Sequence, residues 1–486
     1  MEELINESIN GTNIEKVTDS NPGALEKESD TTYVINSIED LVFFSYDVRN
    51  GNSYEGKTVK LEQSVDFNSM KSYVDAFRTD YGKYGYDGEL KTLLTSGEGF
   101  KPIGTYILPS GTSESNNFKG TFDGNNKTIS NLTITMSAQN DEIGYAALFG
   151  INDGTIMNLN LKNTNIITTG YFPSSGIAAS STNLIKNCRI LGGMIQNISD
   201  SWAPIGGICA IMEANSTIEN CGNDAAITRI NQGTKCGGVA GGIVGQSSDN
   251  AIAIKQCYNT GKILGIGENI DLCIGGIIGY SRNDIENCYN TGEIVVKSNI
   301  SKNVGGIVGY LDQKKLSNCY NIGKIQIDGQ TEQSKKTYIG GIVGCNYMIE
   351  IENAYNIGEI TVNLDNQCII GGITAGRWNE KISNACNIGK IYYNDTENEK
   401  IGSIIGNKID VTLSDCYYLK NTYSKGIGYL NSSDETTDGI EEKENIENMP
   451  TIMEIINVDN VFGEDNKNIN NGYPKVYRNN CVNSRK

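Results

Sequence analysis

Apolar residues along this chain fall into short runs that recur about every 30 residues. Each period holds three apolar segments of roughly 4–6 residues, separated by glycine, asparagine or other polar residues. None reaches the ~10–12 residues of an ordinary helix, but each is long enough for a β-strand. One such unit cannot bury its own apolar face, so successive units must stack on one another. The pattern therefore predicts a solenoid.

The most regular motif reads Ile-x-Asn-Cys. Its first and last positions are both apolar, although strict alternation along a strand would put them on opposite faces. A bend at the third position removes this conflict, because Asn tolerates left-handed backbone and its amide can bond neighbouring groups. Stacked amides can also bond one another along the solenoid. We therefore predict a structural asparagine ladder, interrupted by Gln256 and Asp415, at Asn131, Asn158, Asn187, Asn220, Asn287, Asn318, Asn353 and Asn384.

Two further motifs complete each repeat. One reads Gly-Gly-Ile-Val-Gly, as at Gly305 to Gly309, and indicates a strand where backbones approach closely. The other reads Asn-Thr/Ile-Gly-Lys/Glu-Ile, as around Gly323. Three strands and three turns fill the period. The predicted fold is all-β: a right-handed parallel β-helix of about ten three-strand coils, with an N-terminal helical cap and an irregular C-terminal cap.

The period also divides the chain. Ser37, with Asp40 three places on, predicts a capped helix that closes the first coil. Thr58 to Leu61 predicts a strand. The predicted segments are a disordered leader at 1–32, an N-terminal cap and first coils at 33–117 with an insertion at 68–97, the repeats at 118–429, and a C-terminal cap at 430–486.

Charge and composition exclude several functions. Lysine and arginine number 40 against 58 aspartates and glutamates, so the net charge is −18, which disfavours nucleic acid and anionic lipid as partners. No run approaches the ~20 apolar residues of a membrane span, so no membrane insertion is expected. The absence of histidine removes Ser-His-Asp catalysis and the usual zinc ligands. We predict no cofactor, no metal and no catalytic residue.

The chain has 13 cysteines, an odd number, and no CxxC pair is present. Six of them occur at the last position of the Ile-x-Asn-Cys motif. They are interpreted as small buried residues, with disulfides between some neighbours left open.

A column of tyrosines follows the same motif. Alternation would point these side chains outward, where exposed aromatic rings can bind sugar rings or a protein partner. The alternative is a stabilising stack covered by a loop or turned inward by a second bend. The candidate binding residues are Tyr258, Tyr289, Tyr320, Tyr355 and Tyr417, and Cys386 interrupts the series.

Gly-Gly-Ile-Val-Gly-Tyr followed by Ile-x-Asn-Cys-Tyr-Asn-Thr-Gly resembles the repeats of bacterial GLUG-repeat surface proteins. Phe118 to Ile129 and the residues at 470–475 extend the resemblance over roughly 33–477. It implies export to the surface of a bacterium and similarity to segments beside adhesion modules or in the N-terminal regions of some immunoglobulin A peptidases. It implies no catalytic residues, and this chain lacks the HExxH motif of such a peptidase domain.

The function predicted from the sequence is therefore a secreted or cell-surface structural or adhesion module that is not an enzyme. Its expected partner is a host protein or glycan bound through an outer face. The chain opens Met-Glu-Glu-Leu-Ile, unlike a signal peptide, so we expect an exported protein to have lost its signal. Two alternatives stay open: a polysaccharide-degrading β-helix enzyme, although the acidic residues scatter through turns, and the non-catalytic N-terminal part of a larger secreted peptidase.

Overall fold

The protein forms a parallel β-helix in which the chain winds through three sheets and each coil stacks on the one before. This computed structural model confirms the all-β parallel solenoid predicted from the repeat. The residues that the structure describes are 24–68, 99–108, 115–137, 143–232, 237–267, 271–298, 302–329, 336–364, 368–394, 400–431, 436–444, 462–463 and 475–476. The predicted insertion at 68–97 lies outside them except for residue 68, as does most of the predicted C-terminal cap.

Sheet 1 holds strands that end at the first glycine of the Gly-Gly pair in each repeat, or at its equivalent in the last one. Seven strands pair in parallel. They are Ile205–Gly206, Gly238–Gly241, Leu272–Gly275, Lys302–Gly305, Thr337–Gly340, Cys368–Gly371 and Ile401–Gly402.

Sheet 2 follows directly after the Gly-Gly pair, and seven strands again pair in parallel. They are Phe149–Asn152, Ala178–Ser181, Cys209–Met212, Val244–Ser247, Ile278–Ser281, Val308–Asp312 and Val343–Tyr347. Ile405–Lys408 and Ile427–Leu430 form a further parallel pair beyond it. Single bridges through Thr374 connect Val343 to Ile405, so the stacking continues between them.

Sheet 3 is the largest, with 28 strands, because pairing continues past the bend in the Ile-x-Asn-Cys motif. Its strands up to residue 199 are Glu26–Lys27, Thr32–Ile35, Thr58–Leu61, Val65–Asp66, Thr121–Asp123, Thr128–Ser130, Thr133–Ser137, Thr155–Met157, Asn160–Thr169, Leu184–Lys186 and Arg189–Ser199. The later strands are Thr217–Glu219, Gly222–Asn223, Ala226–Asn231, Ala253–Lys255, Tyr258–Asn259, Ile263–Gly267, Asp284–Glu286, Tyr289–Asn290, Ile294–Ser298, Lys315–Asn321, Ile325–Asp328, Glu350–Asn356, Ile360–Asn363, Glu380–Asn387, Ile391–Tyr393, Val411–Leu419 and Ile440–Lys443.

Register between coils follows the sequence motifs. Ile285 pairs with Leu316, and Leu316 pairs with Ile351, so like residues lie above one another and fill one continuous core. Neighbouring strands in such a sheet lie about 4.8 Å apart. Because a shift of one residue would turn every apolar side chain to the other face, the buried column fixes this register.

Helix α1, Ile38–Arg49, covers the N-terminal end of the core as predicted. Ser37 Oγ accepts a hydrogen bond from the Asp40 backbone N–H at 3.2 Å, and Asp40 Oδ2 accepts from the Ser37 N–H at 3.0 Å. The buried ring of Phe44 packs against Phe118 and Phe122 of the first coils. The helix thus closes an end that would otherwise expose apolar side chains.

The predicted leader is wrong in its boundary. Glu26–Lys27 pairs antiparallel with Thr32–Ile35, so the chain is already part of sheet 3 within residues 24–32. Leu25, buried in the core, supplies the apolar anchor that the polar composition of this segment concealed. Residues 1–23 lie outside the described residues. The short antiparallel pair Ile107–Leu108 with Ile143–Gly144, and a second of Phe462–Gly463 with Lys475–Val476, complete the described strands.

Candidate functional site

The tyrosine column predicted as a binding face runs along sheet 3 as a stack of nearly parallel rings. The ring centres of Tyr258 and Tyr289 are 5.4 Å apart. Tyr289 to Tyr320 and Tyr320 to Tyr355 are each 4.9 Å, with the ring planes within 4° of parallel. In-register pairing of the parent strands creates this stack, because each tyrosine lies directly above the next.

The expected outward exposure is wrong at the centre of this column. Tyr320 and Tyr355 are each 1% exposed, and Ile322 and Ile357 pack against them. Each isoleucine lies two residues after the tyrosine it covers. At the half-buried Tyr258 and Tyr289 the same position is a threonine, which carries less apolar surface. The central rings therefore form a small second core that a sugar ring cannot reach.

Cations lie over both ends of the column. The Arg189 guanidinium lies 5.4 Å from the ring centre of Tyr258, and the Lys443 ammonium 4.9 Å from that of Tyr417. Gly222 occupies the intervening position near Tyr258, where any Cβ would lie 2.2 Å from that ring. Such cation–π contacts stabilise the column ends. Binding at the half-buried Tyr258, Tyr289 and Tyr417 stays a prediction.

The asparagines of the Ile-x-Asn-Cys motif, which we call the corner ladder, all have left-handed backbone. Their φ angles lie between 50° and 58°, and Gln256 and Asp415 share this conformation. Amide-to-amide bonds of 2.7–3.2 Å link the ladder in two runs, from Asn158 to Asn220 and from Asn287 to Asn384. Asn131 instead donates to Asp66 Oδ1 at 2.6 Å. The left-handed residue lets the two apolar positions that flank it both point into the core.

A second asparagine ladder, which the sequence analysis missed, lies wholly inside. This inner ladder consists of Asn223, Asn259, Asn290, Asn321, Asn356 and Asn387. Each Nδ2 donates to the Oδ1 of the next asparagine at 2.9 Å, up to Asn387. Each Nδ2 also donates to the backbone C=O two residues further on, and every amide but that of Asn356 accepts from the N–H of the same residue, as Asn321 does with Gly323 at 3.0 and 3.2 Å. Each of these buried amides thus finds its hydrogen-bond partners inside the solenoid.

Glycines of both motifs leave the space that the inner ladder occupies, because they have no Cβ. A Cβ on Gly306, the second glycine of its Gly-Gly pair, would lie 2.4 Å from Asn321 Cγ. A Cβ on Gly323 would lie 2.1 Å from the Gly292 carbonyl oxygen and 2.8 Å from Asn290 Nδ2. The recurring Tyr-Asn-x-Gly sequence was the available clue, and an asparagine near a glycine is also typical of an exposed turn.

The cysteines supply packing. The described ones are buried and none forms a disulfide. Cys188, Cys221, Cys257, Cys288 and Cys319 occupy successive coils beside the corner ladder. Burial raises the pKa of the Cys416 thiol and of the Cys386 thiol to about 12, so both stay protonated near neutral pH. A protonated buried thiol is a poor nucleophile.

Accessible aromatic rings lie elsewhere, on the outer sides of sheets 1 and 2. The first group surrounds a shallow cleft, the Arg282 cleft, where Trp202 and Tyr280 make an edge contact at 6.3 Å. Arg282 lies 5.3 Å from the Tyr280 ring centre and forms ion pairs with Asp249 at 2.6 Å and Asp312 at 3.3 Å. Two carboxylates therefore offset its charge.

The second group surrounds the Arg377 cleft, a space of about 450 Å³ nearer the C-terminal end. That volume falls in the range of small-ligand sites. Its basic lining residues are Lys336, Arg377 and Lys400, and its aromatic ones are Tyr338, Trp378 and Tyr429. Trp378 is 51% exposed and Tyr429 37%. No carboxylate is among the described residues that line it.

Buried Glu380 holds the short segment that carries Arg377 and Trp378. Its Oε1 accepts a hydrogen bond from the Arg377 backbone N–H at 2.8 Å. Burial raises the pKa of the Glu380 carboxyl to about 7. The Trp378 indole N–H donates to Asp410 Oδ2 at 3.1 Å, which fixes the ring. The two exposed side chains thus project from an anchored backbone.

In the part of the chain that the structure describes, no three cysteine, aspartate or glutamate side chains are placed to hold a metal ion. No described helix is long and apolar enough to cross a membrane.

Comparison with known proteins gives a sequence match to one family model and distant likenesses to solved structures. A solved structure of a putative immunoglobulin A1 protease from Bacteroides ovatus is 15% identical, with 94% of each chain covered and a TM-score of 0.36. A structure named IgA1 Protease is 16% identical over 86% of this chain and 24% of its own, with a TM-score of 0.35. Both scores are below 0.5, so neither likeness supports an inference about function. No curated protein matches the chain. Residues 271–295 match the family model described as the GLUG motif, which confirms the resemblance recognised in the repeats.

Proposed function

We propose that this chain is a rigid, non-catalytic extracellular scaffold of a bacterium that presents its outer side chains to a host protein or glycan. The observation that carries the proposal is the unbroken inner ladder, in which six asparagines link successive coils by 2.9 Å bonds. Fully bonded buried amides are stiff, because any slip between coils would leave polar groups without partners.

Support for a binding role comes from the outer surface. Aromatic side chains are enriched where proteins bind partners, and here they line two surface clefts. Support for a non-catalytic role comes from the protonated thiols and the absence of histidine. The chain would then act as a spacer or binding segment, whether alone or within a larger secreted protein.

A combined glycan and host-protein array tests this function. The purified chain should bind at least one glycan or protein class, and incubation with the bound glycan should release no shorter sugar. Failure to bind any array member would overturn the binding role. Release of products from a polysaccharide would overturn the non-catalytic role and favour the β-helix hydrolase or lyase instead.

A further inference from the structure

We propose that the Arg377 cleft binds a carboxylated oligosaccharide, with its carboxylates at Arg377, Lys336 and Lys400 and its rings against Trp378 and Tyr429. This inference rests on the proposed function and deepens it, because it names the site and the chemical class of the ligand. Three features of the cleft support this assignment: its basic side chains, its exposed and ordered rings, and the paired backbone around it.

The charge of the cleft is opposite to that of the chain. The chain carries a net −18, yet three basic side chains line this cleft, against one carboxylate beside it, Asp410, which accepts from the Trp378 indole N–H. A local positive potential in an acidic protein favours an anionic ligand. Arg377 can bind a carboxylate with two parallel hydrogen bonds.

The aromatic rings are exposed and held in place. Trp378 is fixed by Asp410 and contacts Tyr347, with ring centres 6.2 Å apart. Lys400 lies 5.6 Å from the ring centre of Tyr429, so one side of that ring faces a cation. Rings that are already ordered lose little conformational freedom on binding. Their flat apolar faces suit the C–H faces of a pyranose ring.

The backbone around the cleft favours a sugar over an acidic peptide. Thr337–Gly340 pairs with Cys368–Gly371, and the latter pairs with Ile401–Gly402, so the ladder between coils uses their backbone hydrogen bonds. A peptide that binds by adding a strand needs a free sheet edge. Recognition here must come from side chains, and a carboxylated sugar offers ring faces and anions without needing backbone partners.

The experiment is calorimetric titration of the full chain at low salt with matched pairs of sugars. Tetragalacturonate is compared with galactotetraose, and sialyllactose with lactose. At least one carboxylated sugar should bind tenfold or more tightly than its neutral partner, and salt should weaken it. Arg377→Gln and Trp378→Ala should each weaken binding tenfold or more, and Lys336→Gln about threefold. Lys262→Gln and Tyr392→Ala, at exposed residues outside both clefts, are the matched controls and should leave affinity unchanged.

Several outcomes would overturn the inference. Equal affinity for the neutral sugars would show that charge plays no part, and unchanged affinity in Arg377→Gln and Trp378→Ala would place binding elsewhere. Tight binding of a polyglutamate peptide without carboxylated sugars would assign the cleft to a protein partner. The variants must unfold at the same midpoint as the wild type. If only Trp378→Ala loses affinity, and its unfolding midpoint is also lowered, the result counts against the assignment. If array ligands bind the cleft variants as tightly as the wild type, the proposed function stands and only the cleft assignment fails. If no array ligand binds the wild-type chain, both proposals fail.

Discussion

The corner ladder and the inner ladder use the same residue for different physical reasons. At the corner, Asn318 is half-buried and has φ of 56°, so the backbone conformation selects asparagine first and the amide bond second. Inside, Asn321 lies three residues further on, has no positive φ, and is fully buried with four hydrogen bonds. Gln256 and Asp415 replace asparagine at the corner, whereas the inner ladder is unbroken from Asn223 to Asn387 and ends at Ile190 and Tyr418 in the coils beyond.

This difference shows which ladder holds the coils together. A half-buried amide that loses its neighbour can bond water, so its loss costs little. Removal of a buried amide leaves its partners buried without hydrogen bonds. Each such group lowers the free energy of unfolding by about 1–3 kcal/mol. The inner ladder should therefore dominate stability, and the corner ladder should mainly set the direction of the chain.

The largest effect is expected for Asn321→Leu. The change removes bonds to Asn290, Asn356 and both backbone groups of Gly323, and leaves those groups buried. We expect a loss of about 4 kcal/mol in the free energy of unfolding. Guanidinium unfolding followed by circular dichroism measures it. Asn363→Leu, exposed and with one bond to Asp328, is the control and should cost under about 0.5 kcal/mol. Equal costs at the two sites would refute the role of the inner ladder.

Next in size is Asn318→Ala at the corner. Alanine lacks the amide bonds to Asn287 and Asn353, and left-handed backbone costs it about 1–2 kcal/mol. The expected loss is about 2 kcal/mol, half that of the inner change, by the same unfolding assay. A cost as large as that of Asn321→Leu would mean that the two ladders do not differ.

Glycine separates the backbone contribution from the amide contribution. Asn318→Gly keeps the left-handed conformation at little cost, so we expect a loss of about 1 kcal/mol, smaller than that of Asn318→Ala. At Asn321 the order should reverse, because glycine there only adds flexibility to the unfolded chain. If glycine also proved milder than alanine at Asn321, the conformational explanation of the corner ladder would lose its support.

The two ladders also differ in how well the sequence predicts them. The corner ladder was predicted because apolar residues at the first and fourth positions violate strand alternation, and only a bend at Asn318 and its equivalents reconciles them. The inner ladder produces no such violation, since Tyr-Asn-x-Gly is typical of a turn as well. The fold shows that the Asn321 amide is buried, because Gly306 of the Gly-Gly pair has no Cβ and leaves the space that this amide fills.

The outer surface was harder to predict. The exposure of the first four tyrosines in the column follows whether the residue two places on is threonine or isoleucine, as at Thr291 and Ile322. The Arg377 cleft combines side chains from different coils, with Lys336, Trp378 and Tyr429 each far apart in the sequence. It also lies where Thr374 and Ala375 replace the last two residues of the Gly-Gly-Ile-Val-Gly motif. Departures from the repeat therefore located the candidate site better than the repeat itself.

The smallest effect should be a gain, from Gln256→Asn. Gln256 has φ of 56° and sits where the corner ladder is interrupted, because Asn287 donates to its neighbour Glu286 at 3.0 Å instead of to the coil below. Asparagine tolerates left-handed backbone better than glutamine and places its amide at the height of Asn220 and Asn287. We expect about 0.5 kcal/mol of added stability, within the range of one amide bond that competes with water. Asn363→Leu is again the control in the same unfolding assay. A lower unfolding midpoint for Gln256→Asn than for the wild type would show that the interruption is required, and that the corner amides do not act as one ladder.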